Sequence, residues 1–148
     1  MKWKIVVDSS CDLRELTFAH TEEIGFAVVS LKIIVGEREF VDEKGLDTVE
    51  MLEVMENHHG KTSSSAPNAG EWKKAFADGE NVFAITISGA LSGSAAGAHT
   101  ARHLLEQEGI NKNIKIIDSL STGPEMTLYV EKLVEYIEQG LSFEEVSA

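Results

Sequence analysis

Apolar and polar positions along this chain follow two periods. Short β-branched runs that stop at turn residues predict strands, and apolar stripes at three- and four-residue spacing predict helices. KIVV (4–7) halts at DSSCD, and VFAITI (82–87) and IKIID (114–118) run into loops rich in Ser and Gly; all three read as buried strands. GFAVVSLKIIVG (25–36) reads as strand, with EREFVD (37–42) returning as a hairpin partner across Gly36. Asp12 predicts the cap of a short helix through roughly residue 20. Asp47 with Glu50 predicts the start of a helix carrying Met51, Leu52, Val54 and Met55, and Asn68 with Glu71 repeats the pattern ahead of WKKAFA. HHGKTSSSAPN (58–68) reads as loop. A helix is expected to follow the strand at 82–87 and to end near Gly109. Another carries the stripe Met126, Val130, Leu133, Val134 and Ile137 and stops at Gly140.

Strands alternating with helices predict an α/β fold, a mostly parallel sheet flanked by helices. Residues 1–140 are expected to form that domain. Ser142 and Glu145 then make a capping box for a further helix within 141–148, shorter than a helix that stands by itself. That segment is expected to begin an interdomain helix, with a second domain absent from this chain.

Composition narrows the function. The 148 residues carry 13 basic against 25 acidic side chains, a net charge of -12. Such a balance disfavours duplex nucleic acid, where phosphate neutralisation supplies most of the affinity, and equally disfavours anionic lipid surfaces. A single cysteine, Cys11, excludes an internal disulfide framework and suits a reducing compartment. No apolar run approaches a membrane span, and MKWKIVVDSS reaches a polar turn too soon for a signal peptide. A cytoplasmic protein is expected.

The chemistry concentrates where strands are predicted to end. DSS (8–10), ISGALSGS (87–94) and DSLSTG (118–123) follow predicted strands, and KTSSSAP (61–67) adds Thr62, Ser63, Ser64 and Ser65. Ligands of open α/β sheets bind beyond the carboxyl ends of the strands. A helix starting after 87–94 would offer unpaired N–H groups to an anion, with Ser92 as a side-chain donor and Gly93 allowing close approach. Gly89, Gly93 and Gly97 fit neither the dinucleotide nor the P-loop fingerprint. Ala95, Ala96 and Ala98 offer a smooth apolar surface instead. Close helix–sheet packing accounts for these small residues, and so does a ligand with a carboxylate head and an apolar tail.

Catalysis has weaker support. GALSG places Ser92 outside the nucleophile-elbow pattern, and nothing in the sequence ties His20, His58, His59, His99 or His103 to it. Asp8, Asp12 and Asp118 could hold a metal, but capping explains them equally well. No metal and no cofactor are expected.

Five stretches taken together, KIVVDSSCDL, VVSLKIIVGEREFVD, KTSSSAP, ITISGALSGSAAGAH and IKIIDSLSTGPEM, resemble the DegV family in order and spacing. The resemblance implies the N-terminal domain of a two-domain α/β protein that binds one long-chain fatty acid. It implies a carrier, not an enzyme, and for some relatives presentation of the acid to a separate fatty acid kinase. By position in the motifs it implies Thr62 and Ser92 as the hydroxyls holding the fatty acid carboxylate, with Ser63 and the Gly93 backbone as further contacts. The usual TSQPS reads TSSSAP here, and LSGTY reads LSGSA. The alternative function is a Ser-centred hydrolase or phosphotransferase.

Overall fold

The computed structural model describes residues 3–16, 23–43, 45–89 and 92–148. Its centre is a four-stranded parallel sheet built from β1 (Trp3–Asp8), β2 (Ile24–Val29), β6 (Asn81–Thr86) and β7 (Asn113–Asp118), in the order β2-β1-β6-β7. All six residues of β1 are buried, as expected for an inner parallel strand covered on both faces. Between β2 and β6 the chain forms a second sheet, order β4-β3-β5, from β3 (Lys32–Val35), β4 (Arg38–Val41) and β5 (Thr62–Ser65).

Two apolar layers sandwich the parallel sheet. On one side α4 (Pro124–Glu138) and α5 (Phe143–Ser147) lay Met126, Val130, Leu133, Val134, Ile137 and Val146 against Ile5, Val7, Phe83 and Ile85. Phe83 stacks between Trp3 and Phe143, with centroid distances of 6.1 and 5.1 Å. On the other side α2 (Ala69–Phe76) and α3 (Ser94–Gln107) pack Trp72, Phe76, Ala98, Ala101 and Leu105 on Val6, Val82, Ala84 and Ile116. The five-residue stripe expected at 126–137 is buried throughout, and Gly140 follows it at φ 82°. That left-handed turn suits glycine, which has no Cβ to clash.

The caps formed as the sequence predicts. Asp47 accepts from the Glu50 N–H at the start of α1 (Thr48–Asn57), and Asn68 with Glu71, like Ser142 with Glu145, completes a reciprocal capping box.

Three local expectations changed. The segment 25–36 is not one strand. It breaks after Val29, where the Leu31 N–H donates to Ser9 Oγ at 2.8 Å, and its second half joins the other sheet as β3. Within the loop expected over 58–68, β5 forms an antiparallel ladder with β3, Val35 facing Thr62 and Lys32 facing Ser65. Its side chains are mostly exposed, so the ladder and not apolar burial makes this strand. The helix expected after Asp12 is absent over 12–16, which form bends; 17–22 lie outside the described residues. There Arg14 donates to the carbonyls of Cys11 (2.8 Å) and Ser9 (3.1 Å), holding the chain in a turn.

Candidate functional site

Strand order reverses direction between β1 and β6, so the crevice beyond their carboxyl ends is the topological switch point where open α/β sheets bind ligands. The last residue of β1 there is Asp8, fully buried. Its Oδ2 accepts from the Ile87 N–H at 2.8 Å and from Ser94 Oγ at 2.7 Å. Its Oδ1 accepts from the Ser10 N–H at 3.2 Å and from the Ser10 hydroxyl. Four neutral donors thus surround one carboxylate, meeting the requirement that a buried polar group be hydrogen-bonded.

Asp118, at the end of β7, works similarly. Oδ2 accepts from the Gly89 N–H at 3.0 Å and Oδ1 from the Leu120 N–H at 2.9 Å. The second bond holds Leu120 in the left-handed region, φ 57°, with its side chain 79% exposed. Asp12 lies beside Gly123, whose positive φ opens α4. These acids organise backbone, and no group of three or more metal-ligating side chains occurs among the described residues.

The hydroxyl-rich segments sort into two roles. Ser9 Oγ accepts from Leu31, Ser10 and Ser94 donate to Asp8, and Ser119 Oγ donates to the Ser121 carbonyl at 3.1 Å. These hydroxyls hold loops together. Ser92 differs. Half-buried two residues before α3 begins, its Oγ accepts from the Ser94 N–H at 3.3 Å. That leaves its proton free to donate outward. Gly93 occupies the N-cap position of α3, and nothing lies within 4 Å of where a Cβ would stand. The first N–H of this helix, at Ser94, is capped by Ser92, and the space beside Gly93 is open; a helix start of this kind suits an anion.

Thr62 and Ser63 start β5 at the exposed edge of the smaller sheet. The structure thus forms two pairs, Ser92 with Gly93 and Thr62 with Ser63, and no hydrogen bond described joins them. What connects them is a close approach further along each segment. A Cβ on Gly97 would sit 2.8 Å from the Pro67 carbonyl oxygen and 3.3 Å from Trp72 Cδ1. The loop leaving β5 is pressed on the second turn of α3 at the one residue without a side chain.

That contact also settles the small residues. Gly89 makes room for Asp118, Gly97 for Pro67, and Ala98 and Ala101 pack on the sheet, while Ala96 faces outward. Sequence reasoning weighed packing against a ligand surface here, and packing takes most of the stretch; Gly93 alone stays open. None of the four depressions described on the molecule, about 250 to 530 Å³ each, is lined by Thr62, Ser63, Ser92 or Gly93. His59, His99 and His103 are exposed and His58 sits against Gly36 and Gly60. No described hydrogen bond links any of these four to Ser92, and His20 lies outside the described residues. Sequence reasoning missed Asp8 as the hub of the site. Its one trace in the sequence is an acid closing a buried strand ahead of two serines, a pattern that a turn-forming Asp shares.

Comparison with known proteins gives this geometry a context. The DegV family model, described as "Uncharacterised protein, DegV family", matches residues 2–148. A DegV domain-containing protein of Streptococcus pyogenes serotype M1 is 44% identical over 146 residues, covering 99% of this chain and 52% of the relative. Among solved structures, the Streptococcus pneumoniae Fatty Acid Kinase (Fak) B3 protein loaded with linoleic acid superposes with a TM-score of 0.91 at 41% identity. The match covers 99% of this chain and 52% of that one. A DegV family protein from Eubacterium eligens loaded with heptadecanoic acid gives 0.87 at 36% identity, covering 98% and 51%. The chain spans about half the length of the relatives it matches. With its strand order, its serine-rich rim and a family match from end to end, this chain belongs to the DegV family.

Proposed function

We propose that this chain binds a long-chain fatty acid and carries it, the carboxylate held by the Thr62 and Ser92 hydroxyls with Ser63 and the Gly93 backbone as further donors. The observation that carries the reading is the open start of α3. There Ser92, which caps the Ser94 N–H through its oxygen, keeps a proton to donate, and open space lies beside Gly93. Uncharged donors of this kind suit a monovalent head group. The fatty acids in the S. pneumoniae and E. eligens structures supply the ligand class.

The tail would provide most of the affinity. At about 0.8 kcal/mol per buried methylene, roughly fifteen methylenes offer on the order of 12 kcal/mol before ordering costs. Both apolar layers of this chain are filled by its own side chains. We therefore assign enclosure of the tail jointly to this domain and to a second domain, the counterpart of the half of the relatives that this chain does not span. Presentation of the bound acid to a separate fatty acid kinase, in the cytoplasm, belongs to the same proposal.

Native mass spectrometry of this domain together with the second domain, incubated with palmitate, tests the reading. One bound palmitate is expected, and Thr62→Ala and Ser92→Ala should each weaken binding about tenfold to hundredfold, the value of a hydrogen bond to a charged group. Absence of a complex, or binding indifferent to both substitutions, overturns it. Covalent labelling of Ser92 by a fluorophosphonate would favour the hydrolase alternative.

A further inference from the structure

We propose that Asp8 is a positioning residue for the carboxylate site, acting through Ser94 to fix where the Ser92 hydroxyl stands. The inference rests on the fatty-acid reading above and names the device that makes the grip selective. One carboxylate holds both Ile87 and Ser94. Asp8 Oδ2 takes the Ile87 N–H where the loop leaves β6 and the Ser94 hydroxyl where it enters α3. From Ser94 the chain of bonds continues outward, its N–H donating to Ser92 Oγ. A fourth bond, from the Ser92 N–H to the Ser88 carbonyl at 3.2 Å, ties Ser92 to the end that leaves β6. Asp8 and Ser94 are both fully buried, whereas Ser92 is half-buried. An interior bond thus bears on the orientation of a half-buried donor.

The chemistry of Asp8 is matched to this task. A carboxylate only accepts, and every described neighbour at its two oxygens donates. Asparagine in its place would put an NH2 opposite either the Ile87 N–H or the Ser10 N–H, whichever way the amide turned. One anchor would then be lost. Turned toward Ile87, the NH2 also takes from the Ser94 hydroxyl its acceptor; turned toward Ser10, it leaves Ile87 and Ser94 held, so Ser94→Ala is the variant that cuts the link in either case. Preorganisation of this kind governs selectivity for the head group more than total affinity, because the tail supplies the latter.

The test measures hexadecanoate and hexadecanol binding to the wild-type chain and to Asp8→Asn, Ser94→Ala and Ser92→Ala, each first shown folded by circular dichroism. The acid-to-alcohol affinity ratio is independent of the folded fraction, which lowers both ligands alike. Ser94→Ala is expected to reduce the ratio about tenfold or more, the range for a hydrogen bond to a charged group, and Asp8→Asn to reduce it by less, because one orientation of the amide keeps the Ser94 bond. Adding Ser92→Ala to either should cost less than it does alone, since coupled residues are not additive. Should Asp8→Asn fail to fold, Ser94→Ala, which removes one hydroxyl, decides the matter. Equal loss of acid and alcohol, or an unchanged ratio, overturns the positioning role. If Ser92→Ala lowers the ratio while Asp8→Asn and Ser94→Ala keep it, only this inference falls. If the wild type shows no preference for the acid, the fatty-acid reading falls and takes this one with it.

Discussion

Replacing Gly97 by alanine sets two effects of opposite sign against each other. An alanine in a helix interior is favoured over glycine by about 1 kcal/mol, through propensity and reduced freedom of the unfolded chain. At this position the new Cβ would stand 2.8 Å from the Pro67 carbonyl oxygen, with Trp72 Cδ1 at 3.3 Å and Nε1 at 3.5 Å. Pro67 and Trp72 are both buried, so neither can swing into solvent. Relief requires the 66–68 loop and α3 to separate by a few tenths of an ångström, and overpacking of that kind costs about 1–3 kcal/mol. The net expectation is a loss of about 1 kcal/mol. Urea titration should show a lower midpoint with an unchanged slope, and the melting temperature should fall by roughly 3 °C. Ala96→Gly, at the exposed neighbouring position, calibrates the propensity term and should cost about 1 kcal/mol. A Gly97→Ala protein more stable than the wild type would show that propensity acts unopposed and that the β5 loop is not pressed against α3. The placement of Thr62 relative to Ser92 would then lose its physical basis.

Two further outcomes follow from the electrostatics. Burial pushes the Cys11 thiol above its ordinary value of 9.0, outweighing its hydrogen bonds with the Leu13 backbone and Thr127. Native protein at pH 8 should therefore resist iodoacetamide, and label only on unfolding; rapid labelling of the folded chain refutes this. For Glu71, partial burial raises the pKa, but the Asn68 N–H and Lys32 together hold it below the ordinary 4.5. A depressed carboxylate contributes stability above its unfolded value and loses it as the pH falls through the folded one. The advantage of wild type over Glu71→Gln in urea titrations should be full at neutral pH and shrink below 4.5 as the lowered value is passed. An advantage that grows with acid would reverse the sign and the assignment.

Much of the site was legible as residue types before it was legible as a place. The caps at Asp47, Asn68 and Ser142 are visible because a side chain and a backbone N–H three residues apart are a local matter. Ser92 and Gly93 could be marked for the same reason, as they follow a strand and open a helix. Asp8 could not. Its partners at Ile87 and Ser94 lie about eighty residues away in sequence, and nothing local distinguishes a hub from a turn-former.

By itself, then, the sequence determined the parallel α/β architecture, the caps that open α1, α2 and α5, and the buried stripe of α4, because periodicity and capping act within a few residues; the cap expected at Asp12 opens no helix over 12–16. Tertiary structure alone decided that residues 25–36 divide between two sheets, and that polar 62–65 become a strand by pairing with β3. It also decided that three glycines spaced by four serve three ends: Gly89 admits a carboxylate, Gly97 a carbonyl, and Gly93 keeps a helix start open. Strand pairing and close approach depend on segments distant in the chain meeting in space, and residue type encodes only that such a meeting is permitted.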